Sequence, residues 1–405
     1  MLAVVCWFLV WGGMYTGLYN VREMTSNDPM SLFQGVRAFF PLLALYICIV
    51  WIFLTRIKWP TISNPVGLFF YYGLIGLLVS FLSPFMGTSL FWAGLFMAPI
   101  LLTWIIISNE DSLRVLRKLM VINYIVAGFI AFSLIPQALG RGLGGGQSSY
   151  YDLPMGLGFV TKNGVGRFVL ILVLISFIRI MFLQTLRRYL WIIPFIPAIY
   201  ILLQTQSRTS LLGFVVAAVF VILIMDLRWE FVMIGPAVAY LVYLAGYKWR
   251  AQANVTQLFG LTGREMTWIE AIARIKESPF FGWGFHADRL LLNFQHIHNS
   301  YIHAMIHSGI IGTVVFIAAL ISIWRVIIRK EFFLKVREAS GDEKIYLIDS
   351  LLLIGVLTSR SFFESTAAFY GVDLLFLILA VAYVFKWAEI NVFNKKETDK
   401  DVSVS

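Results

Sequence analysis

All five histidines of this 405-residue chain fall between positions 286 and 307: His286, His296, His298, His303 and His307. Imidazole gains and loses a proton near neutral pH, so one such side chain serves as a general base or acid toward a hydroxyl. It is also a common metal ligand, and His303 and His307, four apart, share one face of a helix. Against a metal, no cysteine accompanies them, and the nearby acids Asp288 and Glu277 have no metal-ligand spacing. We expect one working histidine among neighbours that pack, with no metal and no other cofactor.

Four arginines stand at the ends of apolar runs or in polar segments beside them. Arg167 opens one run in Asn-Gly-Val-Gly-Arg, Arg208 follows another in Gln-Ser-Arg-Thr-Ser, Arg264 sits in Thr-Gly-Arg, and Arg360 closes a third. A charge at mid-bilayer costs about 2.5–3.5 kcal/mol and less toward the edge, so such a residue normally faces protein and has a partner. Guanidinium forks onto phosphate oxygens in bidentate fashion. Several arginines converging at one membrane face suit a lipid-linked phosphate or diphosphate. Any one of them alone is better explained by snorkelling, or by pairing with Glu364, Asp373 or Glu265. The run Gly140-Arg141-Gly142-Leu143-Gly144-Gly145-Gly146 lacks the Gly-Lys-Ser/Thr ending of a phosphate loop and reads as a flexible connector.

The elements that must hold these residues follow from composition. Apolar residues make up 60% of the chain and charged ones 13%, with a mean hydropathy of +0.82. Soluble domains average about 45–50% and 25%, so a soluble enzyme would lack the charge to cover its surface. Disorder and a disulfide scaffold fail on the same figures, and an outer-membrane barrel would alternate polar residues along each strand. The expectation is an all-α polytopic membrane protein, a single integral membrane domain over 1–405. With about 20 apolar residues per span, the chain divides into about twelve transmembrane helices, near 2–19, 36–54, 66–82, 89–107, 115–136, 165–183, 189–204, 209–225, 231–247, 308–326, 345–359 and 369–388.

The net charge of +10 reports orientation in such a protein, and no nucleic acid is expected as a partner. Basic residues gather around Arg56, Arg114, Arg187, Arg228, the 325–344 segment and the tail 389–405, which places these segments and both termini in the cytoplasm. The opposite face then carries a Gly-rich loop, 137–164, and a large loop, 248–307. In the large loop Trp268, Phe280, Phe281, Trp283 and Phe285 argue for partly buried order. Glu265–Ile275 reads as a short amphipathic helix with Met266, Ile269, Ile272 and Ala273 on one side.

His298-Asn299, then nine residues, then Gly309-Ile310-Ile311-Gly312 resembles the histidine motif of the O-antigen ligase and O-antigen polymerase family. Thr262-Gly263-Arg264, with Trp268, Pro279, Gly282, Trp283 and Gly284, looks like the segment preceding that motif. Ser207-Arg208-Thr209-Ser210 resembles the family's arginine after a mid-chain span. The likeness covers 200–320 well and the first half only through architecture. It implies a C-type-like membrane glycosyltransferase in the bacterial inner membrane, with the two long loops periplasmic. The implied donor is an undecaprenyl diphosphate-linked glycan, and the acceptor is another glycan (a polymerase) or the lipid A core (a ligase). Membrane lipid and other polysaccharide assembly proteins are the further partners. Carried over by position, Arg208 and Arg264 hold the donor diphosphate and His298 serves the acceptor hydroxyl. Arg167, Asn299, Arg360 and Glu364 remain as substrate-contacting candidates.

The chemistry agrees with such a site. Cleaving a glycosyl–diphosphate bond needs the charge on the leaving diphosphate stabilised, and fixed cationic donors do this without a divalent ion. No carboxylate pair sits at glycosidase-like positions. The region Thr358-Ser359-Arg360-Ser361-Phe362-Phe363-Glu364 looks more like the polymerases, so we expect a polysaccharide polymerase (O-antigen or exopolysaccharide), with a ligase as the alternative. A transporter of the lipid-linked glycan is the alternative of another class. Internal repeats and broken midplane helices would mark one, and no repeat is visible.

Overall fold

The computed structural model describes residues 1–14, 29–137, 150–152, 159–205, 207–225 and 264–393. Through these the chain is helical: α1 Leu2–Gly12, α2 Pro29–Ala38, α3 Phe40–Thr55, α4 Pro65–Ser80, α5 Met86–Ile107, α6 Ser112–Ser133, α7 Lys162–Phe182, α8 Ile192–Thr205, α9 Arg208–Met225, α10 Arg264–Glu277, α11 Ala287–Leu291, α12 Ser300–Ile327, α13 Lys330–Glu338, α14 Gly341–Arg360 and α15 Val372–Ala388. The exception is an antiparallel ladder of β1 Tyr150–Asp152 and β2 Phe159–Thr161, with Tyr150 opposite Thr161. It lies in the segment expected to be a Gly-rich connector, where aromatic and β-branched types favour extended pairing. The glycines themselves lie outside the described residues.

Seven helices among the described residues are long and apolar enough to cross a membrane: Leu32–Thr55, Met86–Ile107, Ser112–Gln137, Asn163–Phe182, Leu186–Leu203, Ser300–Ile327 and Val372–Phe393. Leu2–Gly12, Pro65–Ser80 and Leu212–Ile222 are apolar but shorter. The protein is a multi-pass membrane protein. The expected count of twelve is not reached on these criteria. The span near 345–359 lies on α14, which carries Asp342, Glu343, Lys344, Asp349 and Arg360. The span near 231–247 lies outside the described residues.

The described chain forms two compact units. Unit 1 comprises Met1–Met120, Gly263–Lys335 and Ser361–Ser405, and unit 2 comprises Val121–Thr262 and Val336–Arg360. In unit 1, α4 lies against α12 and α5, and α1 and α3 pack on α5. The Asn64 side chain caps α4 by accepting from the Val66 N–H at 2.8 Å, and Pro65 supplies the fixed φ of a first turn. Tyr72 of α4 is fully buried among Phe96, Phe285 and Phe316 and donates its hydroxyl to the Ala368 carbonyl at 2.8 Å.

In unit 2, α7 packs on α8, and α9 and α14 pack on each other and on α7. Arg179 lies buried in α7, 2.9 Å from Asp349 of α14. Tyr124 donates to the same carboxylate at 3.2 Å. The rings of Tyr124, Trp191 and Tyr346 surround the guanidinium at 5.0–5.7 Å. Hydropathy averages hide such a pair, because two charges among some twenty apolar residues barely move the mean; a partner makes their burial tolerable.

Candidate functional site

The segment between α10 and α12 is built by a small apolar core. Ala271, Leu292, Ile297 and Ile306 are fully buried, with Trp268, Ile275, Trp283, Leu291 and Ile302 packed against them. The helix expected over 265–275 is present as α10, but its packed face carries Thr267, Trp268, Ala271 and Ile275. Met266, Ile269 and Ile272, the apolar side read from the sequence, point outward. Trp268 and Ile275, seven apart, have the larger side chains to fill the groove, and the Trp268 indole N–H also finds the Ile297 carbonyl. Of the loop aromatics, Phe285 is buried while Phe280 and Phe281 are exposed.

The glycine motif has a backbone explanation. The helix expected to begin near 308 starts at Ser300 and breaks at Ser308 and Gly309, where Gly309 has φ +59° and ψ −164°. The segment 279–284 lies across the break and satisfies the freed groups: Ile310 N–H reaches the Pro279 carbonyl at 2.9 Å, Trp283 N–H the Ile306 carbonyl at 2.7 Å, and Gly284 N–H the His307 carbonyl at 2.9 Å. A Cβ on Gly309 would stand 2.1 Å from the Phe280 carbonyl oxygen. Gly309→Ala therefore combines about 1–3 kcal/mol of backbone strain with a clash against main chain that cannot rotate away. Its melting temperature in detergent should fall well below wild type, while Gly87→Ala, which meets nothing within 4 Å, leaves it unchanged. An unmoved transition for Gly309→Ala would refute this account of the break.

Just before that helix, Asn299 caps it, its Oδ1 accepting from Tyr301 and Ile302 N–H at 2.9 and 3.0 Å and its Nδ2 donating to the Phe362 carbonyl at 3.0 Å. The cap and the break thus fix both ends of the turn carrying Ser300–His307. His298, preceding the cap, sits in the left-handed region at φ 50°, a costly conformation for a residue with a Cβ and one that recurs at functional positions. Its Nδ1 lies 2.8 Å from Oε2 of Glu364. Oε1 of the same carboxylate accepts from Arg264 Nη2 at 3.1 Å, and Arg264 Nη1 donates to the Phe363 carbonyl. Glu364 thus holds one residue with each oxygen. A carboxylate only accepts, so Nδ1 carries the ring proton and Nε2 is left with a lone pair. The His298 side chain keeps 31% of its surface exposed, against 11% for Glu364 and 16% for Arg264.

Residues 193–317 match the family described as O-antigen ligase. The match covers 125 of the 405 residues. A comparison with curated proteins finds no match.

The O-antigen ligase match takes in Arg208, Arg264, His298 and Asn299 and ends before Arg360 and Glu364. Of the residues singled out by sequence, unit 1 brings Arg264, His298, Asn299 and Glu364 together. Pairing of Arg264 with Glu364, weighed above as a purely structural role, does occur, with His298 on the same carboxylate. In unit 2, Arg360, 2% exposed, donates to Thr209 Oγ1 at 3.3 Å and Ser210 Oγ at 3.4 Å. Ser207 Oγ lies 3.0 Å from Ser210 Oγ and donates to Asn163 Oδ1 at 3.1 Å. The hydroxyls flanking Arg208 therefore bond to one another, to Arg360 and to Asn163. Arg208 is the first residue of α9, with its side chain outside the described residues. Arg167 lies 5.1 Å from the ring of Phe168.

The sequence reading missed Asp288 as a partner of the histidines. In unit 1 its carboxylate, fully buried, lies 3.0 Å from His303 Nε2 and 3.1 Å from His307 Nε2. Burial by itself raises the Asp288 carboxyl, but the neighbouring His303 and His307 imidazoles outweigh it and hold the group well below the usual carboxylate range. The helical spacing of His303 and His307 was visible; the return of Asp288 to them through the 279–287 turn was not.

Proposed function

We propose that this chain is a membrane glycosyltransferase that moves a glycan from undecaprenyl diphosphate to a glycan acceptor at the periplasmic face of the inner membrane, working as a polysaccharide polymerase. The observation that carries the reading is Glu364, one carboxylate that orients His298 and anchors Arg264. In the reaction the acceptor hydroxyl oxygen bonds to the anomeric carbon while His298 Nε2 takes its proton. The anomeric C–O bond to the diphosphate breaks, and its electron pair leaves with undecaprenyl diphosphate. Arg264 stabilises that charge. Arg208 enters from its motif and serves the same diphosphate. Glu364 stabilises the imidazolium formed at His298, as an acid beside a catalytic histidine does. No step in this scheme calls on a metal.

The test is product analysis with purified full-length chain and a diphosphate-linked glycan donor. A ladder of lengthening lipid-linked glycans supports the polymerase. The family's description favours a second reading, a ligase, for which product would appear only when lipid A core is supplied. Translocation of intact donor with no new glycosidic bond would overturn both and leave the transporter.

The same reading sets the topology. With both termini cytoplasmic, reporter fusions at Gly145 and Asn254 are expected to report export and a fusion at Gly341 to report the cytoplasm. A cytoplasmic signal at Asn254 would remove the large loop, and His298 with it, from the periplasm.

A further inference from the structure

We propose that Asp288, His303 and His307 form a site for a divalent transition metal of the zinc class, separate from the His298–Glu364–Arg264 group and structural in role. Each of the three offers one ligand atom, and these atoms all lie within 4.8 Å of one another in the interior of unit 1. Two imidazoles and a carboxylate suit zinc and its neighbours better than magnesium or calcium, which prefer oxygen throughout. Ligands at about 2.0–2.1 Å around a tetrahedral ion lie roughly 3.3 Å from each other. Asp288 Oδ2 lies 3.0 Å from His303 Nε2, close to that, and its other oxygen, Oδ1, lies 3.1 Å from His307 Nε2.

Hydrogen bonding alone accounts poorly for the cluster. His307 Nε2 accepts the His286 backbone N–H at 3.0 Å. Its one lone pair is then directed at that amide, so Nε2 has no proton to give Asp288 Oδ1 at 3.1 Å, and an ion would take the lone pair in place of the amide. His303 Nε2 and Asp288 Oδ2 approach to 3.0 Å, yet both are buried without a hydrogen bond of acceptable geometry. Buried polar atoms this close and without a hydrogen bond are costly in a dry interior, and a cation held among them removes that cost. An ion there would tie α11, which carries Asp288, to the first half of α12, next to the break at Ser308–Gly309.

This site is independent of the transfer reading, which stands or falls on other residues. The experiment is metal analysis of the full-length chain purified in detergent without chelator. About one zinc per chain is expected, with X-ray absorption at the zinc edge giving imidazole nitrogen and carboxylate oxygen ligands. Asp288→Asn keeps the side chain's shape and weakens the metal, so it should lose most of the zinc. Arg264→Ala should keep it. Exhaustive dialysis against a chelator should lower the melting temperature of wild type, and added Zn²⁺ should restore it. Should Asp288→Asn fail to fold, the chelation and absorption measurements on wild type decide alone. Wild type that holds no zinc, manganese, iron, cobalt or nickel in stoichiometric amount, and whose melting is unmoved by Zn²⁺, overturns the proposal in favour of a hydrogen-bonded triad.

Discussion

His298→Ala is expected to lower glycan transfer by about 10²–10⁴-fold, the range a positioned general base contributes, at unchanged expression and donor binding. Three observations in unit 1 support this size. The ring's Nδ1 is taken by Glu364 at 2.8 Å, which leaves Nε2 as the basic atom. The backbone at His298 is held at φ 50°, so the ring direction is imposed by its surroundings. The Asn299 cap and its bond to the Phe362 carbonyl hold the next residue on the same segment as Glu364. His303→Ala and His307→Ala are the controls. Both residues are buried on α12 and face Asp288, so their loss should appear as lower melting, with turnover per folded chain much less affected than in His298→Ala. Equal loss of turnover per folded chain in all three would reassign His298 to a structural role.

Arg264→Ala is expected to cost about 10²–10³ in kcat, the scale for removing one preorganised donor from a developing negative charge. Arg264→Lys keeps the charge but loses the fork, and should stay well below wild type. Since Arg264 also binds Glu364 at 3.1 Å, a structural contribution has to be separated. Glu364→Gln does this, because it keeps the shape, releases the ion pair and weakens the hold on Nδ1 of His298. If Arg264 acts on the diphosphate, Arg264→Ala in the Glu364→Gln background still loses most of the remaining rate. If Arg264 serves only to hold Glu364, the double variant is no worse than Glu364→Gln. Arg208→Ala should fall as far as Arg264→Ala, read in the same kcat assay.

Local pattern made much of this legible. Spans such as Met86–Ile107 and Ser112–Gln137 show in hydropathy because every turn is apolar, and α10 follows from residue types a few positions apart. The packed face of α10 was not legible because Met266, Ile269 and Ile272 form as good a stripe as Trp268, Ala271 and Ile275. Which stripe turns inward depends on Ile297 and Ile306, far along the chain. The same limit hid the tie between His298 and Glu364, two residues 66 positions apart, and the meeting of Asp288 with His303 and His307. Charged pairs such as Arg179 and Asp349 were invisible for the same reason. Spacing rules describe one helix face, whereas these contacts are made by chain segments that return.

The most direct test of the central claim is a single-turnover transfer assay comparing wild type with His298→Ala, each saturated with a diphosphate-linked glycan donor. The account predicts that both bind donor equally, that wild type releases one undecaprenyl diphosphate for each new glycosidic bond, and that His298→Ala releases it at least about 10²-fold more slowly. Release and transfer by His298→Ala at the wild-type rate would contradict it.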